Sequence, residues 1–204
     1  PLHLFLSWKH TSEERLDVLV DILSAIYRRN DMTSQQAFIN AVFTKNPQGM
    51  NLIQLAFEHK RKSIIDPIIS LIELDSALLA KLLSTHDNYG RALPHYTLYH
   101  KSHLHFFSLA YQIGAHQAIF ATDSAHVHPI HYMLKNYKPE YFDILDMILK
   151  NTIITNLNIE DHKGHSILHS VINCAVENPE LKFLANHLVL RALAHIDANP
   201  GLFG

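Results

Sequence analysis

One short pattern returns four times along the chain, and this recurrence restricts the fold more than any other feature. Each window begins with Asp or Asn, carries Gly or His three residues later, and reaches a His or Gln eight residues after its start. The windows are residues 46–56, 87–97, 123–133 and 161–171, and the opening Pro1-Leu2-His3 matches the second half of the pattern. Recurrence in one frame indicates a repeated structural unit, each copy of which is covered by the next.

Helix-period sequence follows the windows. After the third one, Phe142, Leu145 and Leu149 share one helical face, as side chains three and four residues apart do. The Pro-Glu pairs at 139–140 and 179–180 are typical of the first turn of a helix, where proline forfeits no hydrogen bond. The Asp-Pro pair at 66–67 is expected to begin a helix in the same way. Strand-like alternation is nearly absent, so the sequence predicts an all-α fold made of turn, helix, short loop and helix.

This unit resembles the ankyrin repeat, whose signature contains Asp-x-x-Gly-x-Thr-Pro-Leu-His-x-Ala and whose usual period is about 33 residues. Residues 87–90 and 161–164 match the turn of that signature, and Pro129-Ile130-His131-Tyr132 matches the Thr-Pro-Leu-His stretch without its Thr. The resemblance implies an ankyrin-like solenoid that is a fragment of a longer chain. It has about five repeats, approximately at 1–45, 46–86, 87–122, 123–160 and 161–204.

The spacing departs from the ankyrin pattern. The repeated position recurs after 41 residues (Gln54 to His95), 36 residues (His95 to His131) and 38 residues (His131 to His169). The added length predicts extra helical segments at 34–43 and 76–83. The fourth turn residue is expected to have a positive φ, which favours Gly and tolerates the His126 that replaces it once.

The 17 histidines are the unusual element of the composition. In the ankyrin family, the repeated His bonds to backbone across the turn and ties neighbouring repeats together. The resemblance therefore implies a structural role for the repeat-motif residues His3, Gly49, Gly90, His95, His131, Gly164 and His169. Since buried neutral imidazoles resist protonation, this arrangement predicts that the stability falls as the pH drops towards about 6.

A metal site is the alternative interpretation of the histidines. His162, His165 and His169 lie within one window, but His165 is expected on the turn and His169 on the inward side of a helix. Two-apart pairs such as His126 and His128 diverge on a helix, and no His-Glu-x-x-His motif is present. The structural interpretation is favoured, no metal ligand is assigned, and a zinc titration would test the alternative.

Composition excludes several classes of protein. Hydrophobic residues make up 48% of the chain and charged residues 18%, which argues against intrinsic disorder. The net charge of −2 provides no basic footprint for nucleic acid, and no apolar run reaches the roughly 18 residues of a membrane span. The single cysteine fits a reducing compartment, so a cytoplasmic location is expected.

No enzymatic motif stands out. Cys174 ends an apolar helical stretch without a motif around it, and Asp87 and Asp161 lead turns, where Asp bonds to its own backbone. Nucleophile elbows, phosphate-binding loops and dinucleotide turns are absent from the sequence. The segment is therefore expected to have no cofactor and no catalytic activity of its own.

The resemblance assigns partner contacts to the turn tips and to the ends of the first helices. Trp, Tyr and Arg, which dominate interface energetics, are among these positions. The predicted partner-binding residues are Trp8, Met50, His59, Asn88, Tyr89, Arg91, Tyr99, His100, Lys135, His162, Lys163 and His165.

The function expected from the sequence is protein binding through a concave face and the turn tips, with no nucleic acid involved. Two alternatives stay open: a targeting or regulatory module of a larger enzyme, and a His-rich metal-binding helical protein. The composition also resembles that of ankyrin arrays in effectors that intracellular bacteria inject into host cells. For such an effector, the location would be the host cytosol and the partner a eukaryotic protein.

Overall fold

The computed structural model describes residues 13–73, 75–98 and 104–198. Within these ranges the regular structure is helical, and the β-type pairing consists of one isolated bridge between Glu160 and Ser166. The all-α prediction is confirmed. None of the described helices is both long enough and apolar enough to cross a membrane.

Twelve α-helices lie in the part of the chain that the structure describes. The first six are α1 (Glu13–Arg28), α2 (Met32–Phe43), α3 (Leu52–Glu58), α4 (Lys62–Ile72), α5 (Ser76–Ser84) and α6 (Leu93–Thr97). The other six are α7 (His105–Gln112), α8 (His116–Ile119), α9 (Pro129–Lys135), α10 (Phe142–Asn151), α11 (Ile167–Glu177) and α12 (Lys182–Ala198). Short 3₁₀ segments occupy Pro139–Tyr141, Ile154–Asn158 and Pro179–Leu181.

Each sequence window forms a turn that leads into a short first helix, namely α3, α6, α9 or α11. A second helix follows in each unit, and it contacts the first within the pairs α3–α4, α6–α7 and α11–α12. Successive units also touch, through α3–α6 and α9–α11 on one side and through α7–α10 and α10–α12 on the other. Each helix pair thus buries its apolar surface partly against the next one.

A third helical element lies between the second helix of a unit and the next turn. It is longest early in the chain, as α2 and α5, and shorter later, as α8 and the 3₁₀ segment Ile154–Asn158. The extra helical segments expected near 34–43 and 76–83 are confirmed. The two later segments were not predicted, because they are too short to leave a recognisable helical period.

The four turns share one hydrogen-bonding scheme. In the second turn, Oδ1 of Asp87 accepts the N–H groups of Tyr89 and Arg91, both at 2.8 Å, and the Arg91 carbonyl accepts the Asp87 N–H at 3.1 Å. Asn46, Asp123 and Asp161 accept the equivalent pairs of N–H groups in the other turns. The fourth residue has a positive φ in each turn, including His126 at 56°, as expected from the sequence.

Side chains of the first helices join each unit to the next. His95 Nε2 lies 3.3 Å from the Val127 carbonyl, and His131 Nε2 lies 2.9 Å from the His165 carbonyl. Because a carbonyl only accepts, both rings carry their proton on Nε2. Gln54 Nε2 donates at the same position to the Arg91 carbonyl, at 3.2 Å.

His169 departs from this arrangement. It occupies the repeated position but is exposed, and its Nδ1 lies 2.9 Å from the Ser166 hydroxyl. The expectation that His169 points inward is wrong, because its side chain is exposed and its ring and backbone N–H pair locally with the Ser166 hydroxyl.

Pro67 also departs from expectation. It was expected near the start of its helix but lies inside α4, which begins at Lys62. An interior proline removes a backbone hydrogen bond and disfavours the helix by about 3 kcal/mol. The helix persists because it buries five isoleucines along one face: Ile64, Ile65, Ile68, Ile69 and Ile72.

Gly49 and Gly114 allow the packing of the turns to be tested separately from backbone strain. Both have a positive φ, 77° and 75°, but a Cβ on Gly49 would lie 2.7 Å from the Asn88 backbone nitrogen, whereas one on Gly114 would meet nothing within 4 Å. We expect Gly114→Ala to destabilise the fold by about 1–2 kcal/mol through backbone strain alone. Gly49→Ala should lose about 1–3 kcal/mol more, because the second turn must shift away. Urea unfolding measures both, and equal losses would show that the turns are not in close contact.

Candidate functional site

An open groove runs between α9 and α11, the first helices of the last two described units. Its volume is about 910 Å³. One wall comes from the third turn, α9 and the residues just after it, and the other from the fourth turn and α11. The groove therefore follows the length of two neighbouring helices, from their turns to their C-terminal ends.

The end of the groove beside the turns, here called the turn end, is rich in imidazoles. His126, His162, Lys163 and His165 are exposed there. Two acidic residues lie beside them. Glu160 extends its carboxylate towards Gly164, and Asp161 Oδ1 already accepts the N–H groups of Lys163 and His165, at 2.8 and 2.9 Å. These bonds hold the pKa of Asp161 below its usual value, although burial opposes the shift.

The opposite end, here called the helix end, has mixed charge. Lys135 and Lys138 are exposed on one wall, and Glu177 is exposed on the other. The Lys138 ammonium lies 5.8 Å from the centre of the Tyr141 ring. Burial, followed by the negative charge of Glu180, raises the pKa of Tyr137 to about 12, so its phenol stays neutral.

The middle of one wall carries the chain's single cysteine, Cys174. Its thiol donates to the Leu134 carbonyl across the groove, at 3.3 Å. Burial raises the pKa of the thiol, which disfavours the nucleophilic thiolate. This geometry fits packing between the two helices rather than nucleophilic chemistry.

Two neutral histidines lie at the base of the groove. His128 is fully buried, and its Nδ1 accepts the Ile130 N–H at 3.1 Å, which caps α9. Burial, and then the neighbouring His131 and His95, lower the pKa of His128 to about 3. Burial also lowers the pKa of His131 and of His95. His128 thus caps α9, and His131 joins α9 to the fourth turn through the His165 carbonyl.

Four of the predicted partner-binding residues come together in this groove: Lys135, His162, Lys163 and His165. His59 is exposed at the end of α3. Trp8, Tyr99, His100 and the repeat-motif residue His3 lie outside the described residues.

The prediction for Met50 is wrong, because this residue is buried in the core with 7% exposure. As the fifth residue of the first turn, it is paired through its backbone with Asn46, which leaves its side chain directed into the hydrophobic cluster. Burial of such an apolar side chain contributes about 1.5–3 kcal/mol. Met50 therefore stabilises the fold and is not accessible to a partner.

The second turn contributes a separate surface. Tyr89 is 52% exposed, and the Arg91 guanidinium lies 5.1 Å from its ring centre. Arg91 is only partly free, because its Nε donates to Asp87 Oδ2 at 2.8 Å. Tyr96 donates to the same oxygen at 2.6 Å. These bonds hold the pKa of Asp87 below its usual value, although burial opposes the shift.

Asn88, in the same turn, is exposed, but its side chain donates to the Pro47 carbonyl at 2.9 Å. Part of this predicted surface therefore also holds the first two turns together.

Several groove residues were not predicted from the sequence, among them Tyr132, Tyr137, Lys138, Ser170 and Glu177. They lie on the sides of α9 and α11 or just beyond them, where the repeat signature has no fixed position. Helical spacing alone could have suggested 170, 173, 174 and 177 as one face of α11. In the described residues, no group of three or more His, Cys, Asp or Glu side chains is placed to hold a metal ion.

Comparison with known protein families gives no match. The chain is similar to a UPF0507 protein of Yarrowia lipolytica, with 28% identity over 149 residues. The matched region is 70% of this chain but only 13% of that protein, so the chain spans a small part of the length of the relative.

The buried histidines predict a pH dependence with a defined sign. The pKa of His128, about 3 in the fold, lies below the roughly 6.5 of an unfolded chain, so its contribution to stability is complete above pH 6.5 and is lost as the pH falls from there towards 3. Between pH 7.5 and 5.5 we expect a loss of at least about 1.3 kcal/mol, with further loss from His95 and His131. Carboxylates with a lowered pKa titrate below this window. The free energy of urea unfolding at both pH values measures the effect.

His128→Asn is the control for this experiment. Asn retains an oxygen that can cap α9 but does not titrate. The variant should therefore lose less stability between pH 7.5 and 5.5 than the wild type does. Unfolding free energies that are equal at the two pH values in the wild type would contradict the assignment of a buried neutral imidazole.

Proposed function

We propose that this chain is a protein-binding module, built as an ankyrin-like array, whose partner contacts the groove between α9 and α11 and the exposed turn tips. The observation that carries the proposal is the position of Lys135, His162, Lys163 and His165. The repeat resemblance selected them as partner contacts from the sequence, and they line one groove.

The ankyrin-like part of the proposal is supported by the turns. Four turns have the same Asp or Asn side-chain bonds and a positive φ at the same position. Gln54, His95 and His131 each bond to the fifth residue of the next turn. A series of units joined by one repeated contact is what a solenoid requires.

The shape of the groove favours a polypeptide ligand. It is open along two helices, and its rims carry long exposed side chains such as Lys135, Lys163 and Glu177. Polar rims with apolar contacts between them are typical of protein interfaces. Val127, half-buried in the same wall as Lys135, can supply an apolar contact.

The chain would act within a larger protein. The Yarrowia lipolytica relative is several times longer than the region it shares with this chain, which supports a module joined to other domains. A targeting or regulatory module of a larger enzyme is therefore the second candidate, and the two proposals share the same binding surface. The single cysteine fits a reducing compartment, so the location that we propose for the interaction is the cytosol.

Site-specific photocrosslinking tests the proposal. A benzoylphenylalanine at Asn173, an exposed residue of the groove wall, should capture a partner protein, whereas one at exposed Glu73 should not capture the same protein. The captured protein is then produced separately and its Kd measured. His162→Ala with Lys135→Ala should weaken binding about 5–30-fold, as interface truncations of about 1–2 kcal/mol do.

The controls separate binding from folding. The substituted residues are exposed, so the unfolding free energy should change by less than about 0.5 kcal/mol. Met32→Ala removes an apolar side chain that is 86% exposed on α2 and should alter neither the Kd nor the stability. Capture of the same proteins at both crosslinker positions, or an unchanged Kd in the double variant, would argue against the groove as the interface.

A further inference from the structure

The repeated position that joins one unit to the next is exposed in the unit formed by residues 161–198. In the units that begin at residues 46, 87 and 123, this position is Gln54, His95 or His131. Each of the three is buried and bonds to the carbonyl of the fifth residue of the next turn. His169 occupies the same position but is exposed. It thus presents to solvent a side chain of the kind that connects the earlier units.

The residue one helical turn further on shows the same contrast. Phe57, Leu98 and Leu134 are 1%, 5% and 3% exposed, whereas their counterpart Ile172 is 39% exposed. The neighbouring unit covers this position in part, since the Phe57 ring lies edge to face with Phe106 of α7, with centres 6.1 Å apart. An apolar residue that contacts the next unit in the earlier repeats is therefore open to solvent in this one.

These two residues belong to an apolar surface, here called the outer face, on the side of α11 and α12 away from the preceding unit. Around α11, Ile172 and Val176 lie about 160° from Cys174, which contacts α9. Around α12, Leu193 and Ile196 lie about 140–160° from Arg191. Arg191 donates to the carbonyls of Leu149 and Thr152 at the C-terminal end of α10, at 3.1 and 2.7 Å. The exposed residues of the outer face are His169, Ile172, Val176, Leu193 and Ile196.

The His169 ring can make the same hydrogen bond as its counterparts. The Ser166 hydroxyl lies 2.9 Å from its Nδ1, much as the Ala92 N–H donates to Nδ1 of His95 at 3.2 Å. With the Ser166 hydroxyl as the donor to Nδ1, the proton of the neutral ring is on Nε2, as it is in His95 and His131. Nε2 can then donate to a backbone carbonyl.

We infer that the outer face is covered by a further turn and helix pair of the same repeat, whose fifth turn residue offers its carbonyl to His169. The inference rests on the larger protein in the proposed function and specifies how this chain is joined to it. A unit that closes a solenoid carries a polar outer face, whereas this face is apolar apart from His169.

The direction of the contacts between units favours this occupant over a second copy of the chain. At each earlier contact, the first helix of one unit donates to the turn of the next. A symmetric dimer through the outer face would place the same surface of the second copy opposite, and thus another His169 instead of a turn carbonyl.

Photocrosslinking in the purified full-length protein tests the inference. A benzoylphenylalanine replaces Val176, whose counterpart Lys138 lines the groove against the next unit. The expected product is a crosslink within one polypeptide, to a segment outside residues 1–204 that carries the Asp/Asn-x-x-Gly turn pattern. The same group at Asn173, which faces the groove, should not form this product.

Every other result at position 176 would overturn the inference. Such results are a crosslink to a second copy, to a different protein or to a segment without the turn pattern, and the absence of any crosslink. Mixing ¹⁵N-labelled with unlabelled protein distinguishes a second copy from the same polypeptide, because only a crosslink between copies pairs labelled with unlabelled peptides.

A charge on the outer face should separate the units. Ile172→Glu should reduce the yield of the expected crosslink at least about fivefold, because a carboxylate is disfavoured in an apolar contact. Ile172→Ala should reduce it to a smaller extent. Met32→Glu also introduces a carboxylate at an exposed apolar residue, on α2, and should leave the yield within about twofold. An unchanged yield in Ile172→Glu would contradict the inference, and the helical circular dichroism of this variant verifies that it folds.

The outcomes distinguish this inference from the function on which it rests. If position 176 forms no crosslink within the polypeptide while Asn173 still captures a partner protein, the inference fails and protein binding at the groove stands. If crosslinking at Asn173 and at Glu73 captures the same proteins, the groove fails as the interface, whatever the result at position 176.

Discussion

The carbonyl of the fifth turn residue is the atom on which the arrangement of the units depends. In the last described turn, the His165 carbonyl accepts the Asp161 N–H at 3.0 Å and His131 Nε2 at 2.9 Å. One acceptor thus closes its own turn and holds the preceding helix, and a carbonyl oxygen has lone pairs for both bonds. This shared acceptor joins the two walls of the groove between α9 and α11 at the end beside the turns.

The side chain that donates the hydrogen bond from one unit to the next turn is not the same at each contact between units, here called a junction. This difference decides which junctions respond to acid. Gln54 makes the first junction with an amide that does not titrate, whereas His95 and His131 make the next two with imidazoles whose pKa burial lowers. Protonation would give each ring a charge that the buried site disfavours, while the Nε2 donor would remain. The later junctions are therefore sensitive to acid through desolvation of the charge, and the first junction is not.

The turns could be predicted from the sequence because their chemistry is local. An Asp that bonds to the N–H groups two and four residues on, followed by a residue with positive φ, leaves a signature within five positions. Met50 and Pro67 could not be placed in this way, because a tertiary core decides both. The side chain of Met50 is buried against elements outside its own turn, and Pro67 is retained by the isoleucine face around it. Groove residues on both walls, such as Tyr132 and Glu177, were likewise missed because they lie between signature positions, and the sequence does not show which sides of α9 and α11 face each other.

Cys174 gives the groove a built-in reporter. It is the chain's single cysteine, it lies between the two walls, and its thiol contacts the backbone of α9 through Leu134. A maleimide dye or spin label would therefore attach at one known position without removal of other thiols. Since burial raises the pKa of the thiol, its alkylation should be slower than that of a free cysteine. An occupant of the groove would cover this side chain, so protection from alkylation would report on occupancy.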